Sequence, residues 1–393
     1  MHSTPDAARP WVAVVGLSLD QLIAWGALYY SYGVLVVPIA RDLAVPTSVV
    51  AAAFSSSLLV ASLVAPSVGR VLDRQGARPV LLYGALVGLL ALIGVAAMPR
   101  DLLLLPLLVV GLGVAQASSL YEPAFRAIVD WFPVARQRSR ALLLLTSIAG
   151  FASTVSLPVT AFLVHRFGWR AAVLALAALV TVVLLPLRLL LPRTAPRACL
   201  QPKRSSPVDS TSSARLLSAG FALQSFAATG ATLCLVWQLV ERGETLEVAA
   251  GLAGLAGASQ VPGRLLLSPL SSALGTELRL PALLVIQGLA LVGIASLHGP
   301  ALVGAVVTFG ASAGVMTLER ATVVIEWFGR ESFGAGSGQL ASSALFARAG
   351  APFAIELMHG SFSYAAVLGW LAVCVWVGSV LIGGAVRARR LAS

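Results

Sequence analysis

PVLLYGALVGLLALIGVAAM, Pro79–Met98, is a run of twenty residues without an Asp, Glu, Lys, Arg or His. As a helix rising about 1.5 Å per residue it spans about 30 Å, the thickness of a bilayer's hydrocarbon core. Comparable apolar runs occupy 11–39, 47–68, 102–131, 139–164, 170–191, 215–240, 248–273, 280–297, 300–328, 334–358 and 362–386. Twelve such runs predict an all-α polytopic membrane protein. The composition agrees: 58% of the 393 residues are hydrophobic and 11% are charged, against roughly 25% charged in soluble domains. The connections are short, so no large soluble domain fits among the spans.

The net charge of +11 would point to nucleic acid in a soluble protein. In a polytopic chain it follows instead from basic residues collecting on one side of the membrane. With the N-terminus in the cytoplasm, the inner segments hold Arg70, Arg74, Arg78, Arg136, Arg138, Arg140 and eleven further basic residues, and the outer segments five. Both termini are therefore expected inside, with no nucleic-acid partner. Lys203 is the only lysine, an arginine bias that suits a bacterial inner-membrane protein. Cys199, Cys234 and Cys374 are isolated, four histidines are scattered, and no HExxH, GxSxG or Walker pattern occurs. No metal, cofactor, enzymatic chemistry or ATP-driven step is expected. The first run, from Trp11, is too long for a signal-peptide core and reads as a retained helix.

PRTAPRACLQPKRSSPVDSTSSA, Pro192–Ala214, breaks the pattern: it is polar, rich in Pro and Ser, and has no apolar period. It reads as a cytoplasmic linker at 192–214 joining a six-helix bundle over 1–191 to a second over 215–393. The two stretches resemble each other. IVDWFPVARQRSR (Ile128–Arg140) is answered 196 positions later by VIEWFGRESFGAG (Val324–Gly336). FGWRAAVLALA (Phe167–Ala177) is answered by FSYAAVLGWLA (Phe362–Ala372). Two matches in the same order predict a parallel repeat of six helices.

GRVLDRQGARPVLL (Gly69–Leu82) stands between the second and third spans, on the expected cytoplasmic side. It resembles the G-x-x-x-D-R-x-G-x-R loop signature of the major facilitator superfamily, with Gly69, Asp73, Arg74, Gly76 and Arg78 in the matching positions. The resemblance implies that Asp73 helps gate the transporter. The corresponding loop of the second repeat, SPLSSALGTELR (Ser268–Arg279), has lost the acid. YGVLVVPIARDL (Tyr32–Leu43), LYEPAF (Leu120–Phe125), QVPGRLLLSPL (Gln260–Leu270) and ARAGAP (Ala347–Pro352) are similar to a bacterial branch related to monocarboxylate porters. That branch implies a role for Arg264, while Gln260 stands where those porters carry an acid. The Gly-Pro signature of drug–proton antiporters is missing from Thr146–Val164.

Ionisable groups inside a bilayer cost several kcal/mol and face a cavity or each other. The third, sixth, ninth and twelfth spans have no charge in their centres, as lipid-facing helices should. The charges that remain are Asp20, Glu122, Arg126, Arg264, Glu319, Arg320 and Arg348, the candidate substrate or coupling residues. Glu122 and Arg126, spaced i, i+4, are expected to pair with each other, or Arg126 with Glu319. These features predict a monomeric secondary transporter that carries a small, anionic organic solute with protons by alternating access. A drug or metabolite exporter and a non-transporting sensor are the alternatives.

Overall fold

A backbone in hydrocarbon must satisfy its own N–H and C=O groups, so the apolar runs have to fold as helices. The computed structural model describes residues 9–99, 103–192, 210–271, 275–330, 332–359 and 361–392; these are helical apart from short turns, with no strand among them. The body of the expected linker, 193–209, lies outside the described residues.

The helices are α1 (Pro10–Leu43), α2 (Thr47–Gln75), α3 (Ala77–Ala96) and α4 (Leu105–Trp131), followed by a 56-residue helical run, Ala135–Leu190. That run is too long for one crossing. It is divided at Gly168, whose φ of 80° and ψ of 165° are non-helical, giving α5 (135–167) and α6 (169–190). Then come α7 (Ser210–Glu241), α8 (246–271), α9 (Thr276–Ser296), α10 (Gly299–Phe328), α11 (Phe333–His359) and α12 (Tyr364–Ala392). Large apolar side chains point outward on these helices. Leu63 is 75% and Leu90 68% exposed, as a surface facing acyl chains requires.

The chain forms two compact units, Met1–Pro202 with Ala321–Ser342, and Lys203–Arg320 with Ser343–Ser393. The C-terminal turns of α10 and the N-terminal turns of α11 therefore belong to the first unit. Within that unit α4 packs on α2 and α3; within the second, α12 packs on α7 and α9.

Three irregularities shape the interior. α1 contains a π-helical turn at Gly26–Tyr30, a local widening often found at functional sites. α4 is interrupted at Leu120 (φ −83°, ψ −157°). Pro123 explains the break, because its ring would collide with the carbonyl of Ser119 four residues earlier. α8 is interrupted at Ser259, three residues before Pro262, for the same reason.

The signature motif is placed differently from its reading as a loop. α2 continues to Gln75, so Gly69 and Asp73 lie on its last helical turns. Only Gly76, with φ 80°, makes the turn into α3; a side chain there would be strained.

Candidate functional site

Pro123 releases the Ser119 carbonyl from its helix, and Gln21 takes it up: the Gln21 amide donates to that oxygen at 2.8 Å and to Asp20 Oδ2 at 3.1 Å. Asp20 is 1% exposed and forms an ion pair with the fully buried Arg188, Nε to Oδ1 2.7 Å and Nη2 to Oδ2 3.2 Å. Arg188 also donates to the Ser119 hydroxyl at 3.0 Å and to the Leu81 carbonyl. One guanidinium thus ties α1, α3, α4 and α6 together. The sequence reading offered Asp20 as a candidate substrate or coupling residue and did not single out Arg188. The signal was there: a lone Arg inside LLPLRLLLP.

A second cluster gathers where α2 ends and α11 begins, inside the first unit. The helices cross at small residues. A Cβ on Gly69 would run into the Gly334 carbonyl, its carbon 2.8 Å away, and one on Gly338 would lie 3.1 Å from the Ala65 carbonyl carbon. Such close backbone approach needs residues without side chains. Ser62 extends the crossing by donating to the Ser342 carbonyl at 2.9 Å. At the other end Asp73 accepts the backbone N–H groups of Gly334 and Ala335, both at 2.8 Å. A carboxylate thereby caps the positive N-terminus of α11.

Arg126, 2% exposed, joins this cap: it lies 2.7 Å from Asp73 and 3.1 Å from Asp130, and donates to the Arg330 carbonyl at 2.9 Å. Arg330 in turn donates to the Val129 carbonyl at 2.8 Å, a cation on the C-terminal turn of α4. The expected partners of Arg126 are therefore corrected. Glu122 instead accepts the Ser337 hydroxyl, and Glu319 pairs with Arg279 at 2.8 Å. Two acids close to Arg126, one of them a single turn away, outcompete Glu122 and Glu319. Of the other signature residues, Arg74 is exposed and Arg78 half-buried.

In the second unit, α8 and α10 also cross at small residues: a Cβ on Gly314 would lie 2.8 Å from the Gln260 Cα, and one on Gly263 2.8 Å from the Ala311 Cβ. Buried Arg264 donates to the Gly314 carbonyl at 3.0 Å and to Gln260 Oε1 at 3.2 Å. Arg320 is half-buried. Arg348, also half-buried, has no hydrogen bond or ion pair among the described residues.

Sequence reading missed one further group. Trp25 packs against Tyr29 (5.3 Å between ring centroids) and Tyr121 (4.9 Å), and Tyr32 stacks on Phe54 at 3.9 Å. The π turn of α1 and the break in α4 bring these rings together. Trp25, Tyr29 and Tyr32 share one helix face at i, i+4 and i+7, but that spacing does not show that Phe54 and Tyr121, on other helices, join them.

The described residues fold into twelve helices whose buried charges pair within each unit. The profile of the Major Facilitator Superfamily matches residues 18–352, and the chain belongs to that superfamily. It is a multi-pass membrane protein. Over 185 residues it is 30% identical to monocarboxylate transporter 11 of Mus musculus, covering 46% of this chain and 40% of that protein. Over 198 residues it is 28% identical to an uncharacterized 38 kDa protein in the 23S RNA operon of Thermoproteus tenax, covering 50% of each. The chain spans about half the length of these curated relatives. The crystal structure of the human organic anion transporter MFSD10 (TETRAN) superposes with a TM-score of 0.77 at 18% identity, covering 97% of this chain and 100% of that one. The crystal structure of a variant of the E. coli fucose:proton symporter, FucP, gives 0.70 at 15% identity, covering 96% and 99%. At these identities the structural likeness establishes the fold alone.

Proposed function

We propose that the chain carries a small organic anion, of carboxylate type, together with a proton by alternating access. One observation carries this reading. Of the seven charged residues read from sequence, Arg348 is left without a hydrogen bond or ion pair among the described residues. A guanidinium in a membrane-spanning helix is costly unless it meets an anion or water, and its planar fork fits a carboxylate. Similar proteins point the same way: one is an organic anion transporter, another a monocarboxylate transporter, and a third a fucose:proton symporter.

The coupling acid in this reading is Glu122, held by the neutral hydroxyl of Ser337. Asp20 has both oxygens engaged by Arg188 and serves as a structural pin. Asp73, seated on the N-terminus of α11, is the gate whose release accompanies each cycle. The protein works as a monomer in a bacterial inner membrane with both termini cytoplasmic, a placement supported by the basic residues of the α2–α3 and α4–α5 turns.

Uptake into proteoliposomes over a panel of carboxylates and cationic dyes tests this. Saturable carboxylate uptake driven by a proton gradient is expected, with Arg348→Gln raising KM about ten-fold. Glu122→Gln should abolish the gradient dependence while preserving counterflow of labelled solute. Dye transport without carboxylate uptake, or wild-type kinetics in both variants, overturns the reading.

A further inference from the structure

At the end of the first unit that carries the α1–α2 and α3–α4 turns, helices α1 to α4 and α6 surround a partly open cavity of about 100 Å³. Its walls are apolar, formed by residues such as Leu35, Ile39, Leu92 and Leu108. Clefts lined in this way, with few polar groups to fix orientation, are where proteins hold small apolar molecules. Ser31 and Tyr32 are the lining residues with hydroxyl groups. The Ser31 hydroxyl is already spent on the Ala27 carbonyl at 3.0 Å. The Tyr32 hydroxyl is buried and has no partner among the described residues.

Water does not suit this chamber, because a buried water needs about two to four polar partners. Emptiness does not suit it either: wall atoms facing a void lose their dispersion contacts. Hydrocarbon satisfies the walls. The shape points to a chain: lining residues on α1 run from Ala27 to Leu43, about 24 Å at 1.5 Å per residue. The stacked rings of Tyr32 and Phe54, parallel to within 7°, set a firm wall beside the unpartnered hydroxyl.

We infer that this cavity is a binding site for a single unbranched hydrocarbon chain, with one oxygen function of that molecule taking the Tyr32 hydroxyl. Two sources share this chemistry: an acyl chain of a membrane phospholipid, and the tail of an alkyl carboxylate. The site is separate from the charged residues assigned above, and its occupancy is measured without transport.

The experiment is photo-crosslinking of the full chain in nanodiscs, with two probes used in separate arms: a diazirine-bearing dodecanoic acid and a diazirine-bearing phosphatidylcholine. Adducts mapped by peptide mass spectrometry are expected on the cavity faces of α1 (27–43) and α4 (105–112) with at least one probe. The arm with the higher yield identifies the source. Filling the chamber with Val50→Trp or Val109→Trp should cut that labelling about ten-fold. Tyr32→Phe should cut it for the carbonyl-bearing probe and leave a diazirine alkane unaffected. Should the filled variants not fold, the wild-type map decides alone. Adducts confined to outward residues such as Leu63 and Leu90, or labelling indifferent to filling, overturn the site.

Discussion

Replacing Arg188 with Met keeps an unbranched stem of similar length and removes the guanidinium from the centre of the first unit. Arg188 is fully buried and donates four hydrogen bonds, two of them to Asp20. After the change, Asp20 keeps the Gln21 amide at 3.1 Å but is left at 1% exposure without its counter-charge. Stranding one member of a buried ion pair costs about 3–5 kcal/mol, whereas replacing both members by apolar residues is often neutral. For a unit of this size each kcal/mol shifts Tm by about 2–4 °C, so Arg188→Met should melt about 6–20 °C below wild type. The double variant Asp20→Leu/Arg188→Met should recover most of that loss. Tryptophan-fluorescence melting of detergent-solubilised protein reads both. A single variant melting within about 2 °C of wild type, or a double variant whose loss equals the sum of the singles, would show that the pair is not energetically coupled.

The remaining predictions concern the proposed gate, a kink and a buried hydroxyl. Asp73→Asn removes the charge from two 2.8 Å bonds at the N-terminus of α11, a loss of about 1–2 kcal/mol. In an Ala335→Cys background, maleimide labelling should then rise about 5–30-fold; unchanged labelling would remove Asp73 from the gate. Gly168→Ala meets no atom within 4 Å, so its effect isolates backbone strain at φ 80°. It should cost about 1–3 kcal/mol, and an unshifted Tm would contradict that. Tyr32→Phe deletes a buried hydroxyl without a partner and should stabilise lipid-free protein by up to about 1–3 kcal/mol; a lower Tm would mean that the hydroxyl is satisfied in the empty chamber.

Chain composition and apolar run length carried the fold, because the need for internally satisfied backbone in hydrocarbon leaves few alternatives. The helix breaks were legible only in part: Pro123 and Pro262 act on the carbonyl four residues back, yet Pro38, Pro66, Pro158, Pro281 and Pro352 lie inside continuous helix. Pairing of charges was not legible. Arg126 has an acid four residues before it and another four residues after it, and helical spacing alone cannot choose between Glu122 and Asp130. The choice follows from Asp73, which lies on Asp130's side of the arginine and is brought there by the glycine crossing of α2 and α11. Arg188 was hidden for a related reason. Near the end of a span, an arginine in sequence looks like one reaching for water, and only the packing of α6 against α1, α3 and α4 shows that it turns inward.

The repeat sharpens what the Asp73 cluster does. If it merely stabilised a six-helix bundle, both repeats should need one. Aligning Gly76 with Gly275, each just before the next helix, puts Ser272 opposite Asp73; the 196-residue displacement puts Thr322 opposite Arg126. Acid and arginine are thus replaced as a pair. Keeping an arginine at 322 without the acid would bury an uncompensated charge at a cost of about 3–5 kcal/mol, so losing one member removes the reason for the other. Glu326, opposite Asp130, keeps its carboxylate. What is retained once, with its partners complete, is a carboxylate on the N-terminus of α11 together with the arginine that holds it. A bond set present in one repeat and absent from the other biases one conformational step more than its counterpart. On that reasoning Asp73→Asn should change the rate of a single half-cycle in counterflow experiments, while a variant such as Arg188→Met, which weakens the bundle itself, should depress both.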